Sequence, residues 1–194
     1  MNRREALSAV STILGGTIIG AEAFMSGCTN KVNSDPAFTG MLNPEQISLL
    51  DEVGETMLPT TATGPGAKAA QVGQFIHTIV TDFYTPAQQQ VFLAGLEELD
   101  KLADGSFIAL KEKDRLALLK ITAQAAKDTP GSTVQINGIE EEVPHYFTLI
   151  RQLIMWGYLS AEVTAKESYN FVPVPGRYEG CIDYKKGDKV MYGG

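Results

Sequence analysis

The sequence predicts an all-α fold, a single bundle of about five helices with a small β-hairpin and an irregular C-terminal tail. Apolar residues recur at intervals of three and four in five segments, as they do on the buried face of a helix. Two of these segments begin with the same capping pattern, a polar residue followed at once by proline and two residues later by glutamine. The chain has 194 residues, of which 44% are hydrophobic, and this is sufficient for one domain with its own core.

Residues 1–27 have the features of an export signal rather than of a folded element. Arg3 and Arg4 precede an uncharged stretch over residues 6–21, which is shorter than the roughly 20 residues of a membrane-spanning helix. The arginine pair resembles a twin-arginine signal, and the ordinary secretion route is the alternative. An anchor that is never cleaved is a further alternative, which mass spectrometry would reveal as an intact Met1.

The signal ends in Met25-Ser26-Gly27-Cys28, which resembles a bacterial lipobox. In such a motif the cysteine is acylated and becomes the first residue of the mature chain. Residues 28–42 show neither helical nor strand periodicity and are predicted to be a tether, and residues 43–194 are predicted to be the folded domain. Lipid on Cys28 would hold this domain beside a membrane without embedding it.

Five helices follow in order, at residues 44–58, 72–83, 86–103, 111–127 and 144–158. Asn43 and Thr85 provide the caps of the first and the third helix, and Pro59 ends the first. The last of the five helices is apolar on much of its circumference. It is therefore predicted to be the central helix of the bundle.

The remaining segments of the domain are short or irregular. Val134 and Ile136 alternate with polar residues, and Asn137-Gly138 is a turn signal, so a small β-hairpin is predicted there. A short helix is predicted after Ser160. Prolines and glycines then interrupt any regular pattern, so about the last 25 residues are predicted to form the irregular tail.

The composition excludes several classes of protein. A net charge of −7 argues against a nucleic-acid binder, whose affinity depends on Lys and Arg neutralising phosphates. Two cysteines and two histidines do not provide the spacing of a thiolate zinc site, a covalent haem or the common zinc-protease helix. Gly64-Pro65-Gly66-Ala67-Lys68 lacks the preceding strand and the following Ser or Thr of a phosphate-binding loop, and is interpreted as a turn between helices.

No residue of the chain is predicted to be catalytic, cofactor-binding or metal-binding. His77 and His145 have no sequence partner for a metal pair or a nucleophile-base couple, and are interpreted as structural or surface residues. No dinucleotide-binding fingerprint is present. Several acidic residues fall on polar faces and are interpreted as solvated surface charge: Asp51, Glu52, Glu55, Glu97, Glu98, Glu140, Glu141 and Glu142.

Cys181 is the thiol that remains if Cys28 is consumed by lipid. A single thiol in an exported protein favours pairing with another chain or a reactive role. Cys181 ends a segment that prolines stiffen, and this segment is predicted to lie on a partner's surface. The residues predicted to make the contact are Pro173, Pro175, Gly176, Arg177, Tyr178 and Cys181. The alternative is a tail folded back on its own bundle, with a buried and inert cysteine.

Several groups of residues give the sequence a resemblance to a known family. They are Met57-Leu58-Pro59-Thr60, Gly66-Ala67, Val72 with Phe75, Phe92-Leu93-Ala94-Gly95-Leu96, Trp156-Gly157-Tyr158, Ser160-Ala161-Glu162 and Pro173-Val174-Pro175-Gly176-Arg177-Tyr178-Glu179-Gly180-Cys181. In these residues the sequence resembles the gluconate 2-dehydrogenase subunit 3 family, from about Asn43 to Asp183. The run that ends at Cys181 is the most specific part of the resemblance.

This resemblance implies a non-catalytic accessory subunit of an exported FAD-dependent sugar or polyol dehydrogenase of the glucose-methanol-choline type. The large subunit would hold FAD and oxidise the substrate, and electrons would pass to a cytochrome c or another acceptor. This chain would support folding and export of the flavoprotein, and the lipid on Cys28 would place it on the periplasmic side of a bacterial envelope. The alternative is a free-standing lipoprotein that binds a small sugar or acts as an envelope adaptor.

Overall fold

A computed structural model describes residues 40–172, 174, 176, 181 and 183–193. Six α-helices form in this part of the chain: α1 Pro44–Met57, α2 Val72–Asp82, α3 Pro86–Leu102, α4 Glu112–Asp128, α5 Tyr146–Ser160 and α6 Glu162–Ser168. Two pairs of strands accompany them: β1 Gly131–Ile136 with β2 Ile139–Pro144, and β3 Asn170–Val172 with β4 Met191–Gly193. The predicted signal residues Arg3 and Arg4 and the predicted lipidation site Cys28 lie outside the described residues.

Local capping fixes the start of two helices. The Asn43 side chain accepts the N–H of Gln46 at 2.8 Å, and the Gln46 side chain accepts the N–H of Asn43 at 2.9 Å. Thr85 and Gln88 repeat this arrangement before α3, with both bonds at 3.2 Å. Each capping box satisfies two backbone N–H groups that have no acceptor within the helix, and both predicted helix starts are confirmed.

The core lies around α5, which contacts α2, α3, α4 and α6. This contact pattern confirms the predicted central position of the helix. The largest fully buried side chains include Leu42, Leu50, Ile76, Phe92, Leu96, Leu99, Phe107, Ile150 and Ile154. Each such side chain contributes about 1.5–3 kcal/mol when it leaves water, so this cluster is the main source of stability.

The folded part of the chain begins earlier than the sequence predicts. Leu42 is the last residue of the predicted tether, yet its side chain is fully buried in the core. The N–H of Met41 donates to the Thr81 hydroxyl on α2 at 3.2 Å. Residues 41 and 42 are therefore part of the helical body.

The predicted β-hairpin is confirmed. Asn137 and Gly138 have φ values of 53° and 80°, as a two-residue type I′ turn requires. Val143 on β2 is fully buried in the core cluster, and both strands contact α3. This packing provides the stabilisation that an isolated hairpin lacks.

The architecture differs from the prediction in two respects. The fold is mainly helical rather than purely helical, because the hairpin is a regular part of it, and the short helix after Ser160 is a sixth helix. The C-terminal tail is not wholly irregular, since Asn170 pairs in parallel with Met191 and Val172 with Gly193. Three-residue strands are too short to produce a visible sequence period, which explains why the pattern does not predict them.

Candidate partner interface

The C-terminal segment, residues 169–193, is fastened to the body at its base. The N–H of Asn170 donates to the carbonyl of Val190 at 2.9 Å, next to the pairing of β3 with β4. The Lys189 ammonium donates to the carbonyl of Glu167 in the last turn of α6 at 2.5 Å. The two ends of this segment are therefore held side by side.

The structure describes two of the six residues that are predicted to contact a partner. Gly176 is exposed, and a Cβ added there would meet no atom within 4 Å. Cys181 is free and exposed, so the alternative of a buried cysteine is wrong. Val174 is 80% exposed in the same segment. The other four residues, Pro173, Pro175, Arg177 and Tyr178, lie outside the described residues.

A second irregular segment, the connector at residues 58–71 between α1 and α2, is organised by Glu55. The Glu55 carboxylate accepts hydrogen bonds from the N–H and the hydroxyl of Thr60, both at 2.8 Å, and from the N–H of Lys68 at 3.0 Å. Burial raises the pKa of Glu55, but these donors outweigh burial and hold the pKa below its usual value. Gly66 packs so closely that an added Cβ would lie 2.3 Å from Oε2 of Glu55.

Glu52 joins the connector to α4. Its carboxylate binds the Lys68 ammonium, and it accepts a bond from the Arg115 guanidinium at 2.5 Å. Arg115 also donates to the carbonyls of Leu110 at 3.0 Å and Ile108 at 2.6 Å. The hydrogen bond from Lys68 and the charge of Arg115 lower the pKa of Glu52, although burial opposes them.

Asp51 stabilises the start of α2. Its carboxylate accepts the N–H of Gly73 at 2.8 Å, whereas Gln71, the cap residue of α2, makes no side-chain capping bond. Burial raises the pKa of Asp51, and the bond from Gly73 and the charge of Lys68 reduce this effect. The N–H groups at the start of a helix need such acceptors.

The interpretation of these three carboxylates as solvated surface charge is therefore wrong. Asp51, Glu52 and Glu55 each hold backbone or side-chain donors of the connector, α2 or α4. The interpretation is right for Glu97 and Glu98, which are exposed on α3. Helical periodicity places all five of these acidic residues on polar faces. It does not separate the three bonded carboxylates from the two exposed ones, because the partners of the bonded carboxylates lie outside their own helix.

An open cleft of about 1060 Å³ separates the connector from the base of the C-terminal segment. Its lining includes Thr60, Thr63, Tyr158 and Ser168, of which the Ser168 hydroxyl oxygen is itself buried. The Tyr158 hydroxyl donates to the carbonyl of Pro65 at 2.9 Å and so holds the connector against α5.

The two histidines have structural positions. His77 is 6% exposed on α2, and the His145 ring accepts the N–H of Phe147 at 3.2 Å, at the start of α5. Among the residues that the structure describes, no three His, Cys, Asp or Glu side chains converge as a metal site would require. In the same part of the chain, no helix combines the length and the apolar character needed to cross a membrane.

The fold and this segment define the class of the protein, a mainly helical domain with a C-terminal segment that is tied at its base and exposes Val174, Gly176 and Cys181. Comparison with family models gives a match to gluconate 2-dehydrogenase subunit 3 over residues 44–176, more than half of the chain. The chain belongs to this family, whose members are subunits of a dehydrogenase complex. Comparisons with curated proteins and with solved structures give no significant match.

Proposed function

We propose that this chain is the non-catalytic accessory subunit of an exported FAD-dependent sugar or polyol dehydrogenase of the glucose-methanol-choline type. The family match over residues 44–176 carries the proposal. In the proposed complex the large subunit holds FAD and oxidises the substrate, and electrons continue to a cytochrome c or another acceptor. This chain supports the folding and export of the flavoprotein.

The C-terminal segment is the proposed docking element of the complex. Its exposed residues Val174, Gly176 and Cys181 support this role, as does the attachment of its base to α6. Because both ends of the segment are held, less conformational entropy is lost when it docks. Arg177 and Tyr178 are residue types that often carry the binding energy of an interface.

The mature chain is proposed to be a lipoprotein on the periplasmic side of the envelope. Arg3 and Arg4 would direct it to the twin-arginine route, which carries folded proteins, so a flavoprotein without its own signal would travel as a passenger. Acylation of Cys28 would then anchor the complex. The tether that the sequence predicts after Cys28 would keep the helical body close to the membrane.

Co-expression tests the proposed partnership. We expect the reading frame adjacent to this chain to encode a flavoprotein without an export signal, and a tagged copy of this chain to co-purify with it as a yellow complex. Deleting this chain should leave the flavoprotein in the cytoplasm. Unchanged export and activity of the flavoprotein after the deletion would refute the proposal.

The lipid anchor has its own test, with a matched control. Cys28→Ala should abolish incorporation of labelled fatty acid and release the chain from the membrane fraction. Cys181→Ala removes the other thiol of the chain and should leave both the label and the fractionation unchanged. Fatty-acid labelling that persists in Cys28→Ala would contradict lipidation at this residue.

The second candidate function, a free-standing sugar-binding lipoprotein, is favoured by the open cleft between the connector and the C-terminal segment, whose lining includes Thr63. Calorimetry of the full chain with hexoses and polyols, in the absence of a flavoprotein, distinguishes the two functions. Saturable binding that Thr63→Val weakens would favour the sugar-binding lipoprotein. An absence of binding heat supports the accessory subunit.

A further inference from the structure

The outer surface of α2 and α5 differs from the rest of the body by its lack of charge. Apart from His77, the only ionic side chain of α2 is Asp82, at its last position, and the only one of α5 is Arg151. The adjacent α4 carries Glu112, Lys113, Asp114, Arg115, Lys120, Lys127 and Asp128. Since 20% of the whole chain is charged, two helices with so few charges form a distinct region.

The large apolar side chains that this region exposes are on α5, whereas the exposed residues of α2 are the polar Gln74, Thr78 and Asp82. Met155, Trp156 and Leu159 on α5 are 39%, 56% and 37% exposed, and their spacing places them on one face of the helix. The Trp156 ring meets the ring of Phe75 on α2 edge-on, with centroids 5.3 Å apart. We name these four residues, Phe75, Met155, Trp156 and Leu159, the aromatic face.

Close packing beneath the aromatic face fixes its geometry. Gly157 lets α5 approach α2 so closely that an added Cβ would lie 2.7 Å from the Phe75 ring. Phe75 is therefore wedged between this glycine and Trp156, and the indole is held in an edge-to-face contact of the favoured type. A surface that is rigid before binding loses less entropy when a partner covers it.

The area of a stable interface is a second argument for a further contact surface. A stable protein–protein interface involves about 20–30 residues and about 800 Å² on each side. The six predicted contact residues of the C-terminal segment are too few to supply this. Interface centres are depleted of charge and enriched in Trp, Phe, Met and Arg, which is the composition of the aromatic face with Arg151 beside it.

We propose that the aromatic face is a docking surface for the large subunit of the dehydrogenase, a proposal that rests on the function proposed above. The matching surface of that flavoprotein has an apolar pocket for the Trp156 indole and a carboxylate for Arg151. The face is linked by the chain to the first docking element, because α5 leads directly through α6 and β3 into the C-terminal segment.

The test introduces a charge at exposed positions, where folding tolerates it. Trp156→Glu and Leu159→Glu are compared with Ile121→Glu, a control at a 67% exposed apolar residue of the charged helix α4. The full chain is assayed against the FAD-containing subunit encoded beside it, and circular dichroism verifies that each variant is folded. The dissociation constant should rise by at least about tenfold for the two aromatic-face variants, and stay within about twofold for Ile121→Glu.

Failure of this proposal is distinguishable from failure of the proposed function. If the unmodified chain does not bind the flavoprotein, the proposed function fails. If it binds and both aromatic-face variants bind equally well, the docking surface is wrong while the function stands. A tenfold loss in both variants, with the control unaffected, supports the docking surface.

The fluorescence of Trp156 tests for other occupants of the aromatic face. Because Trp156 is the single tryptophan of the chain, a change in the emission reports on this face alone. If its fluorescence in the isolated full chain shifts to the blue with rising concentration, and Leu159→Glu abolishes the shift, the occupant is a second copy. If the emission shifts to the red when residues 29–39 are removed, the occupant is the chain's own N-terminal segment. Either result overturns the proposal, and an unaltered emission supports it.

Discussion

The connector at residues 58–71 and the described residues of the C-terminal segment at 169–193 are both mostly without helix or strand. They differ in how they are attached to the body. The connector is held along its length: Glu55 binds Thr60 and Lys68, and Ala67 is fully buried. The C-terminal segment is held at its base and exposes Cys181 beyond it. Irregular backbone is therefore structural in one region and available to a partner in the other.

The difference has a simple physical origin. Backbone N–H groups that leave water need acceptors, and a loop without ladder or helix bonds obtains them from side chains. Glu55 of α1 supplies such acceptors to the connector, and Asp51 of α1 supplies one to the start of α2. In the C-terminal segment, the N–H of Lys185 donates to the Asp188 carboxylate, and at the base the N–H of Asn170 donates to the carbonyl of Val190.

The largest loss of stability is expected when one methyl group is added to the connector, whereas the same addition to the C-terminal segment should have almost no effect. Gly66→Ala would place a Cβ 2.3 Å from the Glu55 carboxylate, so this carboxylate must move and weaken its bonds to Thr60 and Lys68. We expect the free energy of unfolding to fall by about 2 kcal/mol. Gly176→Ala is the matched control, because no atom lies within 4 Å of the added Cβ, and it should change stability by less than about 0.5 kcal/mol. Chemical denaturation of both variants tests the contrast, and equal losses would contradict it.

A smaller effect is expected from removing the charge of Glu52. Glu52→Gln keeps the shape of the side chain but weakens its contacts with Lys68 and Arg115, so the unfolding free energy should fall by about 1 kcal/mol near neutral pH. Glu97→Gln is the control, since Glu97 is 70% exposed and its contact with Lys101 is 3.7 Å long. This control should be neutral within about 0.5 kcal/mol.

The pH dependence of the unfolding free energy shows whether the charge of Glu52 causes this loss of stability. The pKa of Glu52 is lowered from 4.5 in the folded state, so its stabilisation is complete above this value and is lost as pH falls through the folded pKa. Denaturation from neutral to acid pH should show the difference between the unmodified chain and Glu52→Gln shrinking below pH 4.5. A difference that does not depend on pH would indicate lost packing rather than lost charge.

Much of the helical body could be predicted from sequence, because its signals are local. The capping boxes at Asn43 and Thr85 and the turn at Asn137-Gly138 depend on residues within three positions of one another, and the structure confirms them. The central position of α5 follows from its own apolar circumference. Family membership also follows from sequence, since the match over residues 44–176 agrees with the resemblance.

The features that sequence reasoning misses depend on contacts between distant residues. Glu52 meets Arg115 across 63 positions, and no helical period distinguishes it from the solvated Glu97. Leu42 precedes the first predicted helix without any pattern of its own, yet it fills the core. The apolar period on α5 predicts the helix and a buried circumference. It does not show that one of its apolar residues, Trp156 of the aromatic face, is 56% exposed.

A still smaller effect on folding is expected from cutting the base of the C-terminal segment. Removing residues 191–194 deletes β4 and its pairing with β3, whose Asn170 and Phe171 are exposed. The unfolding free energy should change by less than about 0.5 kcal/mol. Limited proteolysis near Cys181 should become faster, because the segment loses one of its two fixed ends. A large loss of stability would show that the segment is as structural as the connector.

The smallest effect on folding, and a specific effect on assembly, is expected from Cys181→Ser. The thiol is exposed and free, so the unfolding free energy of the isolated chain should not change measurably. In the proposed complex, this thiol and a cysteine of the large subunit are expected to form a disulfide, with two electrons and two protons passing to the thiol-oxidising machinery of the proposed periplasmic location. Non-reducing electrophoresis should then show both subunits in one band for the unmodified chain and in two bands for Cys181→Ser. If the unmodified complex separates without a reductant, Cys181 is a free thiol, and the non-covalent contact of the aromatic face has to hold the subunits together.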